Sequence, residues 1–250
     1  MSDPAATSAP DQGPEPRRLR VYRYKRGGGP EHFDAFEVPV GPHTTVLDAL
    51  RWIQRHRDPS LAVRHSCHHA SCGTCGVQVD GREELACVCA MAEHGETVTV
   101  EPLANLPILT DLVVDMSAFF ARFPHAHPII RASGRPPGAE PPADLDHYLR
   151  FEDCIECGLC LSACPAAATS HEYVGPAALA AAQRLLEEPR GVRRADVLAW
   201  ASLPDGAWRC HVGLECTRAC PAEAFPAERI MALRRELTFG GHAAEREMAG

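Results

Sequence analysis

The pattern of hydrophobic and polar residues divides the chain into two regions. In the first region, short runs of apolar and β-branched residues alternate with turn residues, which is typical of strands and hairpins. Gly27-Gly28-Gly29-Pro30 would connect the first two strands, and Asp80-Gly81, a strong signal for a two-residue hairpin turn, would connect the next two. We predict strands at residues 20–24, 33–40, 76–79, 85–88 and 97–101.

Two helices are predicted in the same region. Thr45 begins the first helix, and Asp48, three residues later, completes a capping pair. Pro107 opens the second helix, whose apolar face we assign to packing. The apolar residues at helical spacing are Leu47, Leu50 and Ile53 in the first helix, and Ile108, Leu112, Met116 and Phe119 in the second.

The second region contains helical patterns and no strand pattern. Helices are predicted at residues 176–188, 193–202 and 226–237, the first with Pro176 at its opening position. The proline-rich residues 123–143 between the regions predict a linker or a docked extended segment. The expected class is α+β, with a disordered tail at 1–16, a mixed domain at 17–122, a linker at 123–143, an all-α domain at 144–240 and a tail at 241–250.

Composition and charge narrow the functional classes. The 250 residues are 45% hydrophobic, which is enough for packed cores. The formal net charge of −8 argues against nonspecific binding to nucleic acid, because such binding needs a basic face. No run of 18 apolar residues occurs, so we expect no segment that spans a membrane.

The N-terminal sequence MSDPAATSAPDQGPEP predicts a reducing compartment. It has neither the basic nor the apolar part of a secretory signal, and the early acids Asp3, Asp11 and Glu15 argue against mitochondrial targeting. In a reducing compartment, clustered cysteines bind metal more often than they form disulfides.

Eleven of the twelve cysteines fall into three groups. The first has the spacing C-x4-C-x2-C-x11-C, and the second has C-x2-C-x2-C-x3-C and is followed by Pro165. The third looks like a copy of the second with one cysteine missing, and Pro221 follows it. The groups are Cys67, Cys72, Cys75 and Cys87; Cys154, Cys157, Cys160 and Cys164; and Cys210, Cys216 and Cys220.

The first spacing is the plant-type pattern of a 2Fe–2S cluster. Gly73 and Gly76 would let the loop backbone approach closely and direct N–H groups at sulfur. Zinc is the alternative for Cys72-x2-Cys75 considered alone. A Rieske-type site fails, because no Cys-x-x-His partner follows Cys67-His68-His69.

The second spacing is the bacterial ferredoxin pattern, whose fourth cysteine binds the other cluster in proteins with two clusters. Gly213 stands where a full copy of this run would have one more cysteine. Three thiolates favour a 3Fe–4S cluster, and the alternative is a 4Fe–4S cluster with water or His211 as the fourth ligand. The expected sets are Cys154, Cys157, Cys160 and Cys220 for a 4Fe–4S cluster, and Cys164, Cys210 and Cys216 for the 3Fe–4S cluster.

The remaining chemistry-bearing residues point to no bond-making site. Cys89 is interpreted as an ordinary strand thiol, with an alternate-ligand role left open because it lies two residues from Cys87. No nucleophile elbow, phosphate-binding glycine loop or paired-carboxylate motif stands out, so we expect the chain to carry electrons. Histidines interpreted as locally hydrogen-bonded surface residues are His65, His68, His69 and His94.

From about residue 19 to residue 240, the chain resembles the iron–sulfur subunit of succinate dehydrogenase and fumarate reductase. The resemblance implies a plant-type ferredoxin (β-grasp) domain followed by an all-α bacterial-type ferredoxin domain. The strings that carry it, in order, are HSCHHASCGTCGVQVDGREELAC, EPLANLPILTDLVVDM, CIECGLCLSACP, YVGPAALAAAQRL and WRCHVGLECTRACP.

The resemblance implies a membrane complex in which this chain has no succinate site of its own. A flavoprotein partner with covalently bound FAD would oxidise succinate to fumarate. Single electrons would then pass through 2Fe–2S, 4Fe–4S and 3Fe–4S clusters to a quinone. One or more anchor subunits, with or without haem, would hold the chain at the cytoplasmic face of the bacterial inner membrane.

The resemblance also implies a quinone site near the 3Fe–4S cluster, with Pro165 and His211 at matching positions. Some members have a tryptophan pair where this chain has Ala168 and Thr169. That difference implies a menaquinone-type or rearranged site, with Thr169 as a further candidate neighbour.

Three alternatives stay open at this point. The same subunit could serve a fumarate reductase that runs from quinol to fumarate. A soluble reductase could use a thiol or a flavodoxin-type carrier in place of quinone. An iron–sulfur sensor would need a basic or motif-bearing effector surface, which the acidic composition does not favour.

Overall fold

A computed structural model describes residues 15–123, 154–187 and 194–247. A part built on a β-sheet comes first, and a helical part follows it. Most of the predicted linker and the first 14 residues lie outside the described residues. The described arrangement agrees with the predicted α+β class.

The sheet has five strands in the order β2-β1-β5-β3-β4. Strands β1 and β5 run parallel, and the other neighbours are antiparallel. A parallel pair needs a long crossover connection, and here that connection carries a helix and the first group of cysteines. The strands are β1 Glu15–Arg23, β2 His32–Val40, β3 Gly76–Val79, β4 Arg82–Leu85 and β5 Thr97–Glu101.

Helix α1, Val46–His56, lies against this sheet. The Thr45 hydroxyl accepts a hydrogen bond from the Asp48 backbone N–H, and the Asp48 carboxylate accepts one from the Thr45 N–H, so the predicted capping pair is confirmed. The predicted stripe of Leu47, Leu50 and Ile53 is fully buried in the core shared with the inward residues of the sheet.

Strands β1 and β4 differ most from the prediction. Strand β1 begins at Glu15, within the predicted disordered tail, and Glu15 pairs with Val40 of β2. Strand β4 occupies residues 82–85, not 85–88, because Asp80 and Gly81 both adopt left-handed backbone conformations and close a two-residue turn directly before Arg82. The residues after Leu85 form a turn that carries Cys87.

The predicted helix from Pro107 is wrong. The segment forms a small hairpin of β6 Ile108–Thr110 and β7 Val113–Val114, followed by a short helix, α2, at Ser117–Ala121. Asp111, buried and left-handed, makes the turn. Its carboxylate accepts hydrogen bonds from the backbone N–H groups of Tyr24 and Ala62 and from Arg23 Nε. These hydrogen bonds hold the segment as a hairpin although its apolar residues have helical spacing.

The second part contains only helices within residues 154–187 and 194–247. The three predicted helices are present, and the last one continues past Leu237 into the predicted tail. Within the described ranges, no helix has both the length and the apolar content needed to cross a membrane. The helices are α3 Leu159–Ser162, α4 Pro165–Thr169, α5 Pro176–Glu187, α6 Arg194–Ala201, α7 Glu215–Arg218 and α8 Pro226–Glu247.

Buried polar contacts join the sheet part to the helical part. The Ser162 hydroxyl at the end of α3 donates to Glu83 Oε1 over 2.9 Å and accepts from the Ala104 N–H over 2.8 Å. Asn105 Nδ2 donates to carbonyl oxygens at the C-terminal end of α3 and just beyond it. The three acceptors of Asn105 are the carbonyls of Leu161, Ser162 and Cys164, at 2.9–3.2 Å.

Candidate metal centres

The loop that carries the first cysteine group bends its backbone inward. His68, Ala70 and Gly73 all have left-handed φ angles of 62–70°. Alternation of left- and right-handed residues turns successive N–H groups towards one concave side, a form that binds anions and iron–sulfur clusters. Two such groups reach sulfur: the His69 N–H donates to Cys67 Sγ over 3.5 Å, and the Ala70 N–H donates to Cys87 Sγ over 3.4 Å.

The four thiols of this loop form two pairs. Cys67 and Cys72 lie close together at the partly exposed side, and Cys75 and Cys87 lie close together at the buried side. Hydrogen bonds from the His69 N–H and then the Ser71 hydroxyl lower the pKa of Cys67 to about 5, whereas burial raises the pKa of Cys75 to about 12. Two pairs of thiolates suit a centre of two irons.

The second site is a cavity lined by four cysteines from two distant parts of the chain. Burial raises the pKa of Cys157 to about 11, and the nearby Cys154 and Cys220 add to the effect. Cys220 therefore lies with the second group in space, although it belongs to the third group in sequence. The lining cysteines are Cys154, Cys157, Cys160 and Cys220, which is the set expected for a 4Fe–4S cluster.

The third site is a neighbouring cavity with the complementary set. It is lined by Cys164, Cys210 and Cys216. Burial raises the pKa of Cys216 to about 12, and Cys164 and then Cys210 contribute to the shift. Gly213 also lines this cavity, and a Cβ atom added there would lie 3.6 Å from Pro165 Cγ, an ordinary contact. The position that lacks a cysteine therefore has room for one.

The backbone confirms the internal repeat. In the second cysteine group, Glu156 and Gly158 lie two and four places after Cys154. Both have left-handed φ angles, and a short helix follows. In the third group, Val212 and Leu214 lie two and four places after Cys210. They have the same left-handed conformations, and α7 follows. In this alignment Cys157 corresponds to Gly213, as the spacing indicates.

The three sites follow one another through the molecule. A Cβ atom added to Gly73 would lie 2.7 Å from Cys157 Cβ, so the first loop touches the second directly. Gly73 and Gly76 do allow close approach, but the nearest atoms belong to Cys157 and Leu159 of the helical part. Burial and then nearby thiolates, including that of Cys216 in the third site, raise the pKa of Cys160 far above its usual value.

The donor sets fit clusters better than single ions. In the described ranges, no three His, Cys, Asp or Glu side chains converge as a single-ion site would require. A cluster spreads its thiolates over several irons, so its ligands lie farther apart. Buried thiols with raised pKa values release their protons when iron supplies the compensating positive charge, which makes assembly of such a centre proton-releasing.

The predicted neighbours of the third site are only partly brought together. Pro165 and His211 line the cavity of Cys164, Cys210 and Cys216, and His211 is exposed. Thr169 lies at the other end of α4, where its hydroxyl donates to the backbone carbonyls of Pro165 and Ala166.

Cys89 follows the turn at residues 86–88 and does not lie in a strand. Its buried Sγ is 3.2 Å from His94 Nε2, and His94 Nδ1 is 2.8 Å from Asp80 Oδ2. Burial, and then the carboxylates of Glu84, Glu93 and Asp80, raise the pKa of this thiol to about 12. The arrangement resembles a nucleophile with its base, but the thiol stays protonated, which suits a structural contact.

Two residues near the third site carried no sequence signal. Arg234 of α8 donates to the carbonyl oxygens of Ala207, Trp208 and Cys210, and so holds the segment that carries Cys210. Tyr173, just before α5, is fully buried on the cavity wall. Both contacts are long-range, which explains why local spacing could not reveal them.

Comparisons with known proteins agree with this geometry. Residues 18–121 match the family described as a 2Fe–2S iron–sulfur cluster binding domain. Residues 150–224 match the family described as a 4Fe–4S dicluster domain.

Relatives of similar length align over most of the chain. It is 40% identical over 220 residues to the fumarate reductase iron–sulfur subunit of Mycobacterium tuberculosis, covering 84% of this chain and 87% of that one. It is 31% identical over 233 residues to the succinate dehydrogenase iron–sulfur subunit of Paracoccus denitrificans, covering 90% and 89%. A chain of the Mycobacterium smegmatis Sdh1 complex in the apo form superposes with a TM-score of 0.76 at 27% identity, covering 90% of this chain and 96% of that chain.

Proposed function

The chain belongs to the family of iron–sulfur subunits of succinate dehydrogenase and fumarate reductase, and on that basis we propose that it relays single electrons between a flavoprotein and a membrane quinone. In this proposal the chain has no succinate site of its own. FAD in the flavoprotein exchanges two electrons with the substrate, and this chain passes them on one at a time.

One observation carries the proposal: the three cysteine sites form a continuous row. The first loop contacts the second at Gly73 and Cys157, and the second site adjoins the third at Cys160 and Cys216. A relay needs adjacent centres, whereas a sensor or a storage protein does not. Buried thiols and inward N–H groups at each site supply the ligands and the sulfur hydrogen bonds that set redox potential.

The proposed cofactors are one 2Fe–2S, one 4Fe–4S and one 3Fe–4S cluster. These clusters supply one-electron chemistry, which no side chain of the 20 amino acids supplies at comparable potentials. The ligands are assigned as Cys67, Cys72, Cys75 and Cys87 for the first, Cys154, Cys157, Cys160 and Cys220 for the second, and Cys164, Cys210 and Cys216 for the third.

An anchor subunit is proposed to bind beside the third site. Large apolar side chains are exposed there: Trp208 is 52% exposed, Leu214 49% and Val212 39%. Contiguous exposed apolar residues mark protein or membrane contacts. The anchor would supply the lipid-facing part of a quinone site, with menaquinone as the proposed quinone and with Pro165 and His211 on this chain's side. It would also hold the chain at the cytoplasmic face of the membrane.

Fumarate reduction is a second candidate direction for the same relay. The relatives at 40% and 36% identity carry the name fumarate reductase, and the relative at 31% carries the name succinate dehydrogenase. The same row of sites serves either direction, because electron flow follows the potentials of the quinone and of the substrate pair.

Iron analysis and electron paramagnetic resonance (EPR) of the complex purified with its partners test the proposal. We expect about nine irons per chain and an oxidised-state signal from the 3Fe–4S cluster, because that cluster is paramagnetic when oxidised. About ten irons with no such signal would overturn the assignment of the third site. Purification without any flavoprotein or anchor chain would favour the sensor or the soluble reductase.

A further inference from the structure

Tyr173 is a buried polar residue that the relay, as described so far, does not use. It lies between α4 and α5, and its side chain is fully buried. Among the described residues its hydroxyl makes no hydrogen bond, although the Cys210 side chain lies close to it. A buried hydroxyl without a partner costs about 1–3 kcal/mol, so such a group in a packed interior indicates that something else occupies its hydrogen bond.

The hydroxyl faces the third site. Tyr173 lines the same cavity as Cys164, Cys210 and Cys216. Of these three thiols, Cys210 has the strongest electrostatic contact with the phenol. A phenol has an ordinary pKa of about 10, so its hydroxyl keeps its proton at neutral pH and can act as a donor to sulfur.

We propose that Tyr173 donates a hydrogen bond to sulfur at the Cys210 corner of the third cluster and thereby raises the reduction potential of that cluster. The inference rests on the proposed function, which supplies the cluster. Hydrogen bonds to sulfur are one of the means by which proteins set these potentials. Tyr173 is thus a tuning residue: it contacts the redox centre but exchanges neither atoms nor electrons.

The physical basis is the charge difference between the two redox states. One-electron reduction adds one negative charge to the centre, no covalent bond forms or breaks, and Tyr173 keeps its proton. A hydrogen bond to a more negative acceptor is stronger, so the donor stabilises the reduced state more than the oxidised state. A relatively high potential at the last centre favours arrival of electrons from the second site.

The first test is Tyr173→Phe in the complete complex, with the potential of the third centre measured by EPR-monitored redox titration. We expect the equilibrium constant for its one-electron reduction to fall about tenfold, which corresponds to about 59 mV. The matched control is Tyr22→Phe, because Tyr22 is also buried but its hydroxyl donates to Glu31 Oε2 in the sheet part. The control should leave this potential unchanged.

The second test looks for the proton of the hydrogen bond itself. Electron–nuclear double resonance of the unaltered complex, in H₂O and after exchange into D₂O, detects exchangeable protons near the three-iron centre. We expect one exchangeable coupling that Tyr173→Phe removes. An unshifted potential, or a spectrum that is the same for both proteins, would overturn the role of Tyr173 and leave the relay intact. Absence of a three-iron signal from the unaltered complex would overturn the proposed assignment of the third site, and this inference with it.

Discussion

A single residue, Gly213, distinguishes the third site from the second. It occupies the position that Cys157 holds in the second site, and the conformations around the two positions match. The nearest atom to an added Cβ is Pro165 Cγ at 3.6 Å, so space does not exclude a side chain there. The absence of a fourth thiolate, and not a lack of room, is what distinguishes this site.

Gly213→Cys should therefore convert the third centre towards a 4Fe–4S cluster. We expect about ten irons per chain, loss of the oxidised-state signal and a lower potential. Each fall of about 59 mV in the reduction potential of the third centre makes its acceptance of an electron tenfold less favourable. Reduction of the quinone should therefore slow by about tenfold or more. Iron analysis, EPR and quinone-reduction assays measure these changes.

Gly213→Ala is the control for that experiment. It adds the same Cβ atom without a thiolate, and it should keep the three-iron signal. An unchanged cluster in Gly213→Cys would mean that residue 213 does not face the open corner.

Local spacing predicted which thiols of the second and third groups line a common cavity, but not the residues that surround them. The cysteine spacings identified which thiols to group, because a tight loop brings neighbouring ligands to one centre. Asn105 and Arg234, which position the cysteine-bearing segments, act through contacts far away in sequence. Asp111 shows the same limit in the fold, since its long-range hydrogen bonds turn a segment with helical spacing into a hairpin.

At the scale of elements, the contact between the first and second cysteine loops decides how closely two centres approach. Gly73 has a φ angle of +70°, and its missing side chain makes room for Cys157. Two separate effects would oppose a larger residue: left-handed strain in the backbone and direct overlap with Cys157. Gly81 experiences only the first effect, since it has a φ angle of +76° and no atom within 4 Å of an added Cβ.

Gly73→Ala should thus destabilise the protein more than Gly81→Ala does. We expect about 1–2 kcal/mol for Gly81→Ala from the backbone alone, and about 1–3 kcal/mol in addition for Gly73→Ala from overpacking. Urea unfolding of both variants measures the difference. Separation of the loops should also slow electron transfer from the first centre to the second in rapid-reduction experiments. If Gly73→Ala and Gly81→Ala lose the same free energy of unfolding, the overlap with Cys157 adds no cost and the two loops move apart freely.

For the whole molecule, the exchange of cysteines between the second and third groups joins both halves of the helical part. Cys220 completes the site of Cys154, Cys157 and Cys160, and Cys164 completes the third site. Neither half has a full set of ligands on its own. The sequence pattern indicated this exchange, and the structure adds that α5 and α8 pack against each other to hold the two sites side by side.

Cys220→Ala should consequently remove the 4Fe–4S signal and spare the three-iron signal, whereas Cys164→Ala should do the reverse. EPR of the oxidised and reduced complexes distinguishes the two results. Cys89→Ser is the control, because Cys89 contacts His94 and should leave all three signals in place. Loss of the three-iron signal in Cys220→Ala, with the 4Fe–4S signal intact, would show that each group keeps its own cysteines.

The exchange of Cys164 and Cys220 also orders events during synthesis of the chain. The four thiols of the first site leave the ribosome close together, so that site can close while translation continues. The second site stays one ligand short until Cys220 emerges, several seconds after Cys160 at roughly 5–20 residues per second. Any iron–sulfur delivery to the helical part must therefore wait until Cys220 has been synthesised, and a nascent chain that stops before Cys216 leaves both of its sites incomplete.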